Sequence, residues 1–111
     1  MLVKQLFKWV LSFFKKDSKV LKLKLVSELP KEPIEHVLYL EGNVKEDDYW
    51  YALLKCPCGC GDNIMLNLMA DSRPCWDVVF KKETFSIYPS IWRKKNCCSH
   101  FWLKKGKIIW S

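Results

Sequence analysis

At 111 residues, half of them hydrophobic, the chain has room for one domain with a modest core, and no run in it reaches the length of uncharged apolar chain that spans a bilayer. Its net charge of +7 is unevenly divided: residues 1–26 carry seven lysines against one aspartate, residues 27–75 carry −5, and residues 76–111 carry +6. That division excludes a uniform grip on a polyanion and describes a basic arm, an acidic middle and a basic end.

The arm comes first. At 100° per residue, Leu2, Val3, Leu6, Phe7, Trp9, Val10, Leu11, Phe13 and Phe14 fill one arc of a helical wheel, and Lys4, Gln5, Lys8, Ser12, Lys15 and Lys16 fill the remainder. This predicts an amphipathic helix that ends near Lys16, where Asp17 and Ser18 break the pattern. Its apolar face suits the domain's own core, a partner's groove or, through residues 2–16, an anionic membrane surface. Lys8 interrupts the apolar run and no small-residue cleavage site follows, so the segment does not read as a signal peptide.

From residue 19 onwards the period shortens to two. Leu21, Leu23 and Leu25 alternate with Lys22 and Lys24 as a strand with one wet face. Pro30 and Pro33 bracket a turn, His36–Leu40 is a second strand, and residues 42–48 form a polar loop. Tyr49–Lys55 and Asn63–Met69 are strands leading into and out of the run CPCGCG. Trp76–Phe80 and Thr84–Tyr88 form a pair, and Phe101–Leu103 with Lys107–Trp110 close a hairpin over Gly106. The expected fold is mainly β, small antiparallel sheets and hairpins stapled by one metal ion, with an arm over residues 1–18 and the β domain over residues 19–111.

CPCGCG at 56–61 and CCSH at 97–100 carry the chemistry. Gly59 and Gly61 let the chain bend sharply enough for several thiols to face one ion, and the second turn adds a Cys and a His three residues apart. The candidates for four tetrahedral positions on Zn2+ are Cys56, Cys58, Cys60, Cys97 and His100; Cys97 and His100 rank first, then Cys58 and Cys60, then Cys56. A disulfide framework conflicts with thiols alternating this tightly, and an iron–sulfur cluster fits the ligand spacing less well than zinc. Cys75 and Cys98 read as bystanders, His36 as a satisfied or exposed histidine, and Ser99 as a hydroxyl turned onto a metal-bound sulfur or a neighbouring amide. With no signal peptide read in the arm, the expected setting for the six cysteines is the reducing cytoplasm.

These residues in this order resemble a family of small bacterial domains. Its signature runs LYL (Leu38, Tyr39, Leu40), CxCGCG (Cys56, Cys58, Gly59, Cys60, Gly61), Pro74 and Trp76, PSI (Pro89, Ser90, Ile91), CxSHFW (Cys97, Ser99, His100, Phe101, Trp102), and a terminal Gly106 and Trp110. The likeness covers residues 20–111 and departs after PSI, where many members have GNW and this chain has Trp92 and Arg93. The order of the motif favours Cys97 over Cys98. The family's association with ubiquitin-like conjugation genes in defence loci implies a protein partner.

A surplus of metal ligands, with no HExxH and no base within the motif, argues for a closed structural site and hence a non-enzymatic adaptor. The alternatives are a nucleic-acid-binding module using Arg93, Lys94, Lys95, Lys104, Lys105 and Lys107 with Trp92 and Trp102 for stacking, and a zinc or thiol hydrolase.

Overall fold

The computed structural model describes residues 20–94 and 96–111. The expected helix, and the arm of residues 1–18 as a whole, lie outside them. Among the described residues the fold is all β: eight strands in two four-stranded sheets. The first sheet has the order β1 (Lys22–Val26), β2 (Val37–Asn43), β3 (Asp48–Lys55), β4 (Asn63–Asn67), and the second β5 (Asp77–Lys81), β6 (Thr84–Trp92), β7 (His100–Lys104), β8 (Lys107–Trp110). No described helix is long and apolar enough to cross a membrane.

Alternation sets which side chains meet. Leu38 and Leu40 of β2, Ala52 and Leu54 of β3, and Ile64 and Leu66 of β4 point to one side; Phe85, Ile87 and Ile91 of β6, Phe101 and Leu103 of β7, and Ile108 of β8 point to the other. Together they form one continuous buried cluster, so the two sheets share a single core. Leu21 laces the layers together: its amide donates to the Gly106 carbonyl at 2.7 Å, and the Gly106 amide donates to Phe85 at 2.7 Å. Gly106 sits at φ +75°, the left-handed residue that the β7–β8 hairpin requires.

Three details differ from the sequence expectation. The β1–β2 pair is parallel, so the sheets are not wholly antiparallel; the connection through Pro30 and Pro33 returns the chain to the same end before β2 begins. The polar loop is shorter, because β2 continues through Gly42 and Asn43 across a bulge, where any side chain at Gly42 would run into the Asp48 carbonyl. Strand β6 does not stop at Tyr88. It runs through Pro89 to Trp92, and the register slips between Ile87 and Ile91, where four steps on β6 oppose two on β7. A proline missing its amide fits such a bulge.

Candidate functional site

The β3–β4 connection folds as the glycines demand. Gly59 and Gly61 take φ of +91° and +88°, the Cys56 amide donates to Asp62 at 2.8 Å, and the Gly59 amide donates to Cys56 at 3.2 Å. The turn before β7 is built similarly, with Asn96 and Cys98 in the left-handed region. The core brings these two turns, one from each sheet, together at one end of the molecule. There the sulfurs of Cys56, Cys58, Cys60 and Cys97 lie within 4.8 Å of one another.

Four cysteines so placed can hold a metal ion. Cys56 Sγ stands 3.3 Å from Cys58 Sγ and 3.6 Å from Cys97 Sγ. A disulfide needs about 2.05 Å, whereas sulfurs around a tetrahedral ion at a bond length of about 2.3 Å stand about 3.8 Å apart. The described thiols are therefore free, and their spacing is compatible with a coordination shell. The Ser99 hydroxyl donates to Cys97 Sγ at 3.2 Å, as its position in the motif suggested, and holds that thiol down to about 6. Burial pushes Cys56 the other way, up to about 12. Its proton must leave for a metal to bind.

The same end carries a compensating cation. Arg93 directs Nη1 at Cys60 Sγ (3.7 Å) and Cys97 Sγ (3.9 Å), and its Nη2 pairs with Asp62 Oδ2 at 3.3 Å. A thiolate-rich site is an anion, and a guanidinium at its rim lowers the cost of assembling it. Cys75 is elsewhere, with the Arg73 guanidinium 3.0 Å from its sulfur, and Cys98 is exposed; neither joins the group. His36 is exposed, and its carbonyl accepts the Lys22 amide at 2.9 Å.

His100, ranked first among the ligands with Cys97, is not in the group, while Cys56, ranked last, is. The reason is local. The chain becomes extended at His100, the first residue of β7, and the ring lands on the outer face of the second sheet while Phe101 turns inward. Its Nε2 lies 2.8 Å from Ser90 Oγ.

Ser90 reaches that position because β6 bulges. Trp92 pairs with His100 across the strands, and the extra residues before Ile91 re-aim Ser90 at the imidazole. Two tryptophans hold the arrangement. Trp92 stacks on the His100 ring with centroids 5.2 Å apart and planes at 23°, and Trp76 Nε1–H donates to the Ser90 carbonyl at 3.3 Å. A serine hydroxyl in hydrogen-bond contact with an imidazole is the core of a nucleophile–base pair.

A family model described as bacterial ubiquitination-like system serine protease (BubE) matches residues 25–111. The chain belongs to this family. No curated protein and no solved structure matches it. The BubE description agrees with the sequence-level link to ubiquitin-like conjugation systems and overturns the expected non-enzymatic adaptor: the family is named as a protease. Neither nucleic-acid binding nor zinc or thiol hydrolysis matches that description, and the structure gives the supposed nucleic-acid residues other neighbours. Arg93 lies on the sulfurs, and Trp92 lies on His100 with the Lys94 ammonium 5.1 Å from its ring centre.

Sequence reasoning missed Ser90. It stood in view within the PSI motif, ten residues from His100, but a strand ended at Tyr88 leaves Ser90 in a loop with no partner to assign it.

Proposed function

We propose that the chain is the acyl-hydrolysing enzyme of its system, with Ser90 as nucleophile and His100 as base, and that it cleaves an amide bond at the carboxyl end of a ubiquitin-like modifier. The 2.8 Å contact between Ser90 Oγ and His100 Nε2 carries the assignment, with the family's description in support. Ser90 Oγ attacks the scissile carbonyl while His100 Nε2 takes its proton; the C–N bond breaks as the imidazolium returns that proton to the leaving amine. Water then attacks the acyl-serine ester, gives a proton to His100, and releases the carboxylic acid as Ser90 regains its hydrogen. Trp92 keeps the imidazole from swinging off Ser90, and Trp76 fixes the backbone from which Ser90 projects.

In this proposal the four thiols of Cys56, Cys58, Cys60 and Cys97 hold a structural zinc, which suits soft sulfur ligands and a closed shell. The site joins the two sheets three residues before His100, so it sets where β7 begins and takes no part in bond breaking. Free thiols at this density suit a reducing compartment such as the cytoplasm.

A serine-directed fluorophosphonate probe tests the assignment. The expected outcome is a covalent adduct that peptide mapping locates at Ser90 and that disappears in His100→Ala. An adduct elsewhere, or unchanged labelling without the histidine, would refute it.

A further inference from the structure

We propose that the outer face of the β5–β8 sheet is a docking face for the folded body of the protein substrate, a surface with an apolar centre and an acidic rim. The inference deepens the protease reading, because the face surrounds the Ser90–His100 pair.

Phe85, Ile87, Ile91, Phe101, Leu103 and Ile108 of this sheet are buried in the core, and the residues between them on β6, β7 and β8 face outward. They are not the polar set a solvent-facing sheet ordinarily carries. Tyr88, Trp92 and Ile109 are 41%, 60% and 47% exposed. Trp102, directly opposite Ile109, lies on the same side, in line with His100 along β7. Exposed apolar side chains gathered on one face mark a recognition surface more often than chance, and Tyr and Trp are the anchors that protein interfaces favour.

Charge identifies the occupant. Lys94 sits over Trp92, and Lys104 sits over Trp102 with its ammonium 4.7 Å from the ring centre. Lys104 and Lys107 face each other directly across the β7–β8 hairpin, both exposed. Like charges opposed in this way destabilise a hairpin by themselves, and carboxylates from a partner relieve the repulsion. Residues 76–111 carry +6 overall, so the field around the face draws an acidic partner. The nucleophile lies half-buried in the plane of a sheet, where a broad folded surface can seat itself and deliver its tail to Ser90.

Binding can be measured apart from catalysis. The full chain carrying Ser90→Ala is titrated with the fluorescently labelled ubiquitin-like modifier of the same system, and then again with Ile109→Asp or Lys107→Glu added. Ile109 is half exposed and Lys107 is on the surface, so an unchanged circular dichroism spectrum and metal content serve as folding controls. Ile109→Asp is expected to raise Kd roughly thirtyfold, the loss of one anchor, and Lys107→Glu roughly tenfold with a weaker dependence on salt. An affinity that neither substitution changes would overturn the docking face. So would light scattering showing a dimer that Ile109→Asp dissociates, which would assign the face to a second copy of the chain. Ser90→Ala binding normally while wild-type protein hydrolyses nothing would refute the protease reading and leave the docking face standing.

Discussion

At the scale of single residues, the proposed chemistry rests on two side chains, Ser90 and His100, and two tryptophans hold them. Ser90→Ala should abolish hydrolysis of a reporter fused behind the modifier, a loss of roughly a thousandfold or more, with an unchanged melting temperature because the hydroxyl is half exposed. Trp92 touches the base and not the bond being cut, so its removal is a milder injury. Trp92→Ala should lower kcat roughly tenfold through lost orientation of the imidazole and, because the same ring lies on the docking face, raise KM as well, and Trp92→Phe should restore most of kcat because a flat ring remains to stack. A change confined to KM would move Trp92 out of the positioning role and into substrate binding alone.

At the scale of elements, the decisive features are a bulge and two turns. All eight strands were legible as short apolar runs between turn signals; the period of two is cleanest in β4 and β7, where buried and open positions alternate, whereas β2 and β3 bury three residues in succession. The turns at 56–61 and 97–100 were legible because glycine spacing and thiol spacing each have a local physical meaning. Two things were hidden for the same kind of reason. The parallel β1–β2 pairing depends on where a proline-containing connection returns, which no local pattern encodes. Proline in a strand marks either its end or a bulge, and no local pattern chose the bulge at Pro89, so the partner of Ser90 went unseen with it. CxxH spacing was read as a continuous turn, whereas the chain becomes extended at His100, the first residue of β7, and the ring lies apart from the four thiols. The metal turns give an element-scale prediction: Cys97→Ser should lose the bound zinc and lower the melting temperature, and hydrolysis should fall with it although Ser90 and His100 are both intact, because the turn that launches β7 is no longer pinned to the other sheet. Elemental analysis beside a thermal melt would show it, and full activity in a zinc-free variant would contradict the link.

At the scale of the whole molecule, one core holds the two sheets together and, in the proposed reading, a metal at the four thiols clips them, so that an open outer face can carry a reactive pair. Phe101 is fully buried at the centre of that core, one residue from His100. Phe101→Ala should cost about 3–5 kcal/mol of unfolding free energy, read from the denaturant midpoint at constant slope. The cost should appear in stability before it appears in the binding of metal, whose four thiols sit at the molecule's end. Separation of the two sites is the claim on which everything else rests, and His100 is the residue that decides between them. The most direct measurement is the zinc content of purified His100→Ala protein, taken with its hydrolytic rate. A wild-type ratio of a single zinc per chain with hydrolysis abolished is the predicted result; a chain that loses its zinc on losing the imidazole would return His100 to the metal and leave Ser90 without its base.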